Sequence, residues 1–306
     1  MLRCLVNAPV SDTSRKLRLG KDEVESIVAR WISPEVDGSG FASLKRIGID
    51  EIALTRGHGN FVAVISTRDE QGRVSVLAVL PDRLKVTVKG FLESIPEALK
   101  ATVETVCTDM YEGYINAAYE ALPGVTVVID RFHVAQKYRD AVDELRKQEL
   151  KRLRTELSEE DYAPLKGLLW ILRKDWTALS EEQQDRLVAL FEHSPALQQA
   201  CALRWVLTGI FNAASTRERA EAALRAWCEQ AQASGLRCFE GFLKTLNNHW
   251  KEITSYFLER QSSGFVEGLN NKLKVLKRRC YGLDNVRTLF QRLWLDLEGY
   301  RLFGAA

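Results

Sequence analysis

The chain has 306 residues, 46% of them hydrophobic, and a formal net charge of +2. This is enough material for one large or two ordinary domains with a sizeable core. The nearly balanced charge excludes a protein that is basic throughout, so any contact with nucleic acid must come from local clusters of cations. Six scattered cysteines without a CxxC pair argue against a zinc module and against a disulfide framework.

The sequence gives no sign of membrane insertion or export. No segment approaches the roughly 18 consecutive apolar residues of a membrane-spanning helix. The first residues, Met1 to Leu5, lack the apolar run of a signal peptide. We therefore expect a cytoplasmic location.

The first 45 residues carry weak signals. Lys21 to Ile32 places Val24, Val28 and Trp31 on one face, which predicts a short helix. Residues 33–40 contain proline, glycine and serine and indicate a linker. The helix is either part of a helix-turn-helix or an amphipathic helix on a larger domain, and we expect residues 1–45 to be an N-terminal remnant and linker.

Residues 45–131 alternate between strand and helix patterns. The predicted strands are 47–54, 61–67, 73–80, 103–108 and 125–129, with a turn at Gly57 to Asn60 between the first two. Helical patterns cover 86–100, interrupted at Pro96, and 110–122. The last predicted strand is an apolar run, as in a buried parallel position.

From residue 132 to about 260 the pattern is helical. Ser158, Ser180 and Ser194 each precede a predicted helix and supply a capping side chain. A helix over 264–279 and a last helix to about Phe303 follow. This order of elements matches an α/β ribonuclease-H-like domain, a mixed five-stranded sheet with a large all-α insertion before the last catalytic helix. The predicted catalytic domain is 46–131 with 263–306, and the insertion is 132–262.

Three acidic residues stand where this plan would bring them together. Asp50 lies in the first predicted strand and Asp109 follows the fourth, and these strands are neighbours in a ribonuclease-H-like sheet. Glu267 lies on the helix that packs against the same sheet. Adjacent carboxylates repel one another unless cations neutralise them. The pattern therefore predicts a catalytic site in which Asp50, Asp109 and Glu267 bind two Mg²⁺ or Mn²⁺ ions.

Each acid also has a structural interpretation. Asp50 could simply end a strand, and Asp109, three residues before Glu112, could cap a helix. Asp130 could cap the helix that follows it.

The helix over 264–279 combines an apolar stripe with a row of cations. Leu269, Leu273 and Leu276 recur at helical spacing, and Glu267 and Asn270 lie on other faces. A row of cations can lie along DNA phosphates. The predicted DNA-binding residues are Asn271, Lys272, Lys274, Lys277, Arg278 and Arg279. The alternative is that acids at the start and bases at the end only complement the helix macrodipole.

Four separated segments resemble the bacterial insertion-sequence transposases of the ISL-three family. They are 47–51 (IGIDE), 107–114 (CTDMYEGY), 128–134 (VIDRFHV), and 264–279 with Tyr281 and Gly282. The resemblance covers roughly residues 45 to 300. It implies a DDE triad of Asp50, Asp109 and Glu267, metal-dependent cleavage at element ends, and attack of the freed 3′-hydroxyl on a target strand. Asp130 and His133 match the family's D-x-F-H segment, and we interpret them as supporting the site or contacting DNA.

The resemblance also implies DNA partners, both element ends and target, and a homo-oligomer when active. Relatives typically begin with a zinc module and a helix-turn-helix, so we expect this chain to be either a copy truncated at its front or a fragment with an internal start that keeps the catalytic core. Two alternatives remain at this stage. One is a catalytically silent DNA-binding remnant of a transposase, and the other is a helical scaffold protein in which the acids are caps.

Overall fold

The computed structural model describes residues 1–36, 38–54, 61–258, 260, 264–280, 283 and 285–304. The chain divides into two compact units, Met1–Asp130 with Glu259–Ala306 and Arg131–Leu258. The predicted turn at 57–60 and the Tyr281-Gly282 pair lie outside the described residues. Within the described ranges, no helix combines the length and the apolar character needed to cross a membrane.

The N-terminal segment is more helical than its sequence indicates. It forms α1 (Leu2–Leu5), α2 (Val10–Leu17) and α3 (Lys21–Trp31), followed by a 3-10 turn at Gly38–Gly40. The predicted helix from Lys21 is confirmed as α3. The first two helices were not predicted because they are too short to be stable alone, and isolated helices of this length depend on packing.

The sheet is mixed, as predicted. Its strands are β1 (Arg46–Ala53), β2 (Phe61–Arg68), β3 (Val74–Leu80), β4 (Thr105–Thr108) and β5 (Thr126–Ile129). In the described part of the chain they lie in the order β3-β2-β1-β4-β5. The β1–β2 and β2–β3 pairs are antiparallel, whereas β1–β4 and β4–β5 are parallel. This ribonuclease-H-like arrangement makes β1 and β4 neighbours and brings their carboxyl ends to the same edge.

Three helices connect these strands. They are α4 (Lys85–Ser94), α5 (Glu97–Lys100) and α6 (Glu112–Ala121). Pro96 separates α4 from α5, as its missing N–H requires. Helices α4 and α6 pack against each other, and α6 also contacts β4 and β5.

The second unit is helical throughout its described residues. Its helices are α7 (Arg131–Glu156), α8 (Glu159–Tyr162), α9 (Leu169–Leu172), α10 (Glu181–His193), α11 (Pro195–Asn212), α12 (Arg217–Ala233), α13 (Glu240–Asn248) and α14 (Trp250–Thr254). The three predicted caps are confirmed, since Ser158, Ser180 and Ser194 each accept a backbone N–H of the first turn. Buried Trp227 donates its indole N–H to the carbonyl of Leu203 at 2.8 Å, which joins α12 to α11.

The chain returns to the first unit with α15 (Gly264–Arg279) and α16 (Val286–Phe303). The predicted apolar stripe of α15 is confirmed, because Leu269, Leu273 and Leu276 are buried. They pack in one core with β2 residues such as Val62 and with Phe290 of α16. This core fixes α15 on the sheet.

The N-terminal helices pack on α16 through both apolar and polar contacts. Leu5 and Val24 share a buried cluster with Leu295. Buried Arg292 donates to the carbonyl of Ala8 at 2.5 Å, and the backbone N–H of Asn7 donates to Asp296 Oδ1 at 2.8 Å. These contacts make α1 to α3 part of the same compact unit as the sheet.

A glycine in β1 permits the close approach of α15. A Cβ at Gly48 would lie 2.6 Å from Val266 Cγ2 and 2.9 Å from Phe265 Cε2, both closer than carbon atoms tolerate. Only a residue without a side chain therefore fits under the start of α15. Because side chains alternate along a strand, Asp50 points to the same face as this glycine position.

Gly48→Ala should destabilise the protein by about 1–3 kcal/mol, because the new methyl group forces α15 away from β1. Urea unfolding of the purified chain measures the change. Gly90→Ala is the control, since a Cβ there meets nothing within 4 Å. In the exposed helix α4 that change should stabilise by about 0.5–1 kcal/mol. Equal stability of Gly48→Ala and the wild type would refute the close approach.

Candidate active site

Three aspartates lie just beyond the last parallel pairings of neighbouring strands. Asp109 and Asp130 directly follow β4 and β5, and Asp50 lies within β1, past its last pairing with β4. The pairing of β1 with β4 sets Gly48 opposite Cys107, so Asp50 and Asp109, each two residues further on, occupy equivalent places. The pairing of β4 with β5 continues to Asp130, whose N–H donates to the carbonyl of Thr108 at 2.8 Å. Adjacent strands lie about 4.8 Å apart, so Asp50, Asp109 and Asp130 lie on the same side of the sheet, toward the carboxyl ends of β1, β4 and β5. We call these three residues and their surroundings the acidic edge.

The carboxylate of Asp50 is buried and accepts hydrogen bonds from described residues on β1 and α15. Its side chain is 6% exposed. The backbone N–H of Glu51 donates to Oδ1 at 2.6 Å, and the side-chain amide of Asn270 donates to Oδ2. Sequence reasoning placed Asn270 on a face of the helix but did not include it in the site. The available signal was its spacing, one turn after Glu267.

Helix α15 contacts β1 at three places, in the same order along both elements. Val266 lies over Gly48, Asn270 binds Asp50, and the ammonium group of Lys277 donates to the carbonyl of Ala53. A strand rises about 3.3 Å per residue and a helix about 1.5 Å, so both advance by similar distances between these contacts. The helix therefore runs along β1 in the same direction.

Glu267 lies at the start of this helix, between the two contacts. It is exposed, directly after buried Val266 and one turn before Asn270. With a rise of about 1.5 Å per residue, Glu267 lies about 4.5 Å before Asn270 along the helix axis, between the levels of Gly48 and Asp50. Among the residues that the structure describes, no three His, Cys, Asp or Glu side chains come close enough together to hold a metal ion. The assignment of Glu267 to the triad thus stays a prediction.

Asp109 also makes a local backbone contact. Its Oδ1 accepts the N–H of Tyr111 at 2.9 Å, in the turn that leads into α6. The first helical residue is Glu112, and Tyr111 occupies the capping position. Asp109 therefore shapes the turn before α6 and is half-buried at the edge of the sheet.

Burial and nearby carboxylates together raise the pKa of two groups next to β1 and β4. The pKa of the Cys107 thiol is raised well above its usual value, first by burial and then by the charges of Asp130 and Asp50. The pKa of Tyr114 is raised by burial and then by Glu51, Asp109 and Asp50. Both side chains are therefore close enough to carboxylates of β1, β4 and their neighbours to be affected by the negative charge. A bound cation would lower the repulsion between such carboxylates.

Three of the predicted DNA-binding residues of α15 bind the protein itself. Lys272 donates to the carbonyl of Asp296 at 2.6 Å, and Arg279 donates to the Asp296 carboxylate. Lys277 donates to the carbonyl of Ala53, at the end of β1. Burial lowers the pKa of both lysines. These cations hold α15 against β1 and α16.

The other three predicted DNA-binding residues are exposed and aligned. Asn271, Lys274 and Arg278 follow Glu267 at spacings of four, three and four residues. Residues at this spacing share one face of a helix. We call Glu267, Asn271, Lys274 and Arg278 the exposed stripe of α15. It joins a carboxylate near the acidic edge to two cations further along.

His133 lies in the helical unit, near the start of α7. It is half-buried, and its ring meets the edge of exposed Phe132 with centroids 5.7 Å apart. Asp130 closes the sheet unit and is 4% exposed. A supporting role for either residue stays a prediction.

The contact between Asn270 and Asp50 can be tested by exchanging charges. Asn270→Asp should destabilise the chain by about 1–3 kcal/mol, because it replaces a donor to a buried carboxylate by a second acid. The double variant Asp50→Asn with Asn270→Asp should recover most of that loss in urea unfolding. Asn271→Asp, at the exposed neighbour, should change stability by less than about 0.5 kcal/mol. Equal effects of Asn270→Asp and Asn271→Asp would contradict the contact.

Comparisons with known proteins identify the family of this chain. The DDE transposase model of the ISL-three (ISL3) family, described as "Transposase", matches residues 47–293. The chain is similar to the transposase for insertion sequence element IS1001 of Bordetella parapertussis, with 27% identity over 299 residues, 96% of this chain and 71% of the relative. It is also similar to the transposase for IS1557 of Mycobacterium tuberculosis, with 27% identity over 305 residues, 93% of this chain and 67% of the relative. The chain therefore belongs to the ISL-three family of DDE transposases.

Proposed function

We propose that this chain cuts DNA at the ends of an insertion sequence and transfers the strands to a target, with Asp50, Asp109 and Glu267 as the catalytic residues. The observation that carries the proposal is the register of β1 and β4, which sets Asp50 and Asp109 side by side. A second support is α15, which runs along β1 and presents Glu267 one turn from the residue that binds Asp50. The family membership supplies the reaction class.

DDE transposases generally use divalent metal ions. The oxygen donors of Asp50, Asp109 and Glu267 suit Mg²⁺ or Mn²⁺, which prefer carboxylate ligands and bridge phosphates. The pKa of Cys107 and of Tyr114 is raised first by burial and then by nearby carboxylates, Asp50 among them, whose charge a cation would offset. Asp50, Asp109 and Glu267 would hold two such ions, and the bound ions would supply Lewis-acid activation of a hydroxyl and stabilisation of a leaving oxygen.

The protein's own residues supply positioning. Asn270 and the Glu51 N–H donate to the carboxylate of Asp50 and hold its orientation. The exposed stripe of α15 then offers Lys274 and Arg278 to successive phosphates, directly behind Glu267. A DNA strand lying along this stripe would reach the acidic edge at its end.

The wider assignments follow the same proposal. The sheet with α15 and α16 acts as the catalytic domain, and residues 132–262 form an insertion. Asp130 and His133 support the site or contact DNA. The active form is a homo-oligomer on paired element ends.

Removing single charges from the triad should separate chemistry from binding. Asp50→Asn, Asp109→Asn and Glu267→Gln should each abolish Mg²⁺- or Mn²⁺-dependent nicking of DNA. Each should leave DNA affinity equal or higher, because a charge that repels phosphate is gone. Glu25→Gln, at an exposed position on α3, is the control that should nick normally.

Two other outcomes would point elsewhere. Salt-sensitive DNA binding by the wild type without any nicking would indicate a DNA-binding protein that has lost catalysis. Neither binding nor nicking would indicate a scaffold protein. Nicking by Glu267→Gln at the wild-type rate would remove Glu267 from the catalytic site.

The cations of α15 should divide into two classes when substituted in pairs. Lys274→Ala with Arg278→Ala should weaken DNA binding and reduce the slope of log affinity against log salt by about 1.8, for two lost phosphate contacts. Lys272→Ala with Arg279→Ala should lower the unfolding temperature, because the Asp296 contacts are lost. Its salt slope should stay unchanged. The exposed stripe would be refuted as the DNA contact if Lys272→Ala with Arg279→Ala reduced the salt slope and Lys274→Ala with Arg278→Ala lowered only the unfolding temperature.

A further inference from the structure

A buried phenol in α6 has no hydrogen-bond partner among the described residues. Tyr114 is 0% exposed, and its hydroxyl contacts no donor or acceptor there. The buried hydroxyl of Thr108, at the end of β4, also has no hydrogen-bond partner among the described residues. Leaving a buried hydroxyl unpaired costs free energy, so such groups need an explanation. The location of Tyr114 offers one.

Tyr114 belongs to a chain of contacts that begins and ends at the acidic edge. Asp109 accepts the backbone N–H of Tyr111, whose ring meets the edge of the Tyr114 ring with centroids 5.0 Å apart. The guanidinium of Arg83 lies 5.6 Å from the centre of the Tyr111 ring and donates to Glu51 at 2.8 Å. Glu51 directly follows Asp50. These contacts link the Tyr114 ring to Asp109 on one side and to the neighbour of Asp50 on the other.

The fold keeps this phenol away from water. A Cβ at Gly113 would lie 2.4 Å from Cε1 of Tyr111, so the Tyr111 ring folds back over that glycine. The ring thereby covers Tyr114. Burial, together with the charges of Glu51, Asp109 and Asp50, raises the pKa of Tyr114. Its hydroxyl therefore keeps its proton and can serve as a donor to a carboxylate.

We propose that Tyr114 is a positioning residue for the divalent cation and that its hydroxyl donates to the Asp109 carboxylate when the acids gather around the metal. This inference rests on the proposed function. The hydroxyl without a partner among the described residues is the observation behind it, because an unpaired buried hydroxyl costs free energy and the Asp109 carboxylate would give it an acceptor. Partners of this kind orient a ligating carboxylate and raise metal affinity.

The test is Tyr114→Phe, with Mn²⁺ as the probe. Binding of Mn²⁺ to the DNA-free chain should weaken by about tenfold, measured by electron paramagnetic resonance of the free ion. Thermal stability without metal should be equal to or above that of the wild type, since the lost hydroxyl bonds to none of the described residues. Nicking should recover at high Mn²⁺ concentration. Tyr119→Phe, half-buried on the same helix, is the control that should bind Mn²⁺ normally.

The outcomes separate the two proposals. If the wild type neither binds Mn²⁺ nor nicks DNA, the proposed function fails and the role of Tyr114 fails with it. If the wild type does both and Tyr114→Phe binds Mn²⁺ equally well, only the role of Tyr114 is overturned. Marked destabilisation or misfolding of metal-free Tyr114→Phe would also overturn it, because the hydroxyl would then have a structural partner.

Discussion

The placement of the acidic residues is set by how closely α15 can lie along β1. The absence of a Cβ at Gly48 lets Val266 and Phe265 rest on the strand. Two residues of strand and four residues of helix then cover nearly the same distance, about 6 Å. As a result, Asn270 arrives at Asp50, and Lys277 arrives at Ala53 a little further on. A helix held further out could make neither contact, and Glu267 would leave the level of the strand ends.

The sheet solves a second problem, which is how to hold several carboxylates together in a folded chain. Parallel pairing places Asp50, Asp109 and Asp130 at one edge, where their charges repel. Backbone and amide donors offset part of this repulsion at Asp50, and a turn N–H does so at Asp109. The remaining negative potential is what a divalent cation can neutralise. Local stability and metal affinity are therefore opposed at this site, as is usual where function places like charges together.

The cations of α15 show how one sequence feature can serve two purposes. Lys272, Lys277 and Arg279 face the protein and complete hydrogen bonds to carbonyl and carboxylate groups. Lys274 and Arg278 face outward on the exposed stripe. The inward cations fix the helix, and the fixed helix in turn gives the outward cations a defined position relative to Glu267. Rigid support of this kind is what positions a substrate accurately.

Much of the fold could be predicted from local patterns. The strands, the break at Pro96, the serine caps and the leucine stripe of α15 each follow from side chains within a few residues, and all appear where expected. The order of elements also indicated that β1 and β4 are neighbours, which placed Asp50 beside Asp109. Helices α1 and α2 escaped prediction because they are short and are stabilised by packing on α16.

The class of fold, the family and the neighbouring strand positions of Asp50 and Asp109 could thus be predicted from the sequence, because periodicity, caps and motifs are properties of local chemistry. Packing in three dimensions decided that Gly48 admits α15, that Asn270 binds Asp50, and which cations of α15 face the protein. It also left the hydroxyl of Tyr114 without a partner in the described part of the chain. These facts depend on which surfaces meet, across more than 200 residues of intervening chain in the case of Asp50 and Asn270. Helical spacing gives the face on which a side chain lies, but the partner of that face is chosen by packing.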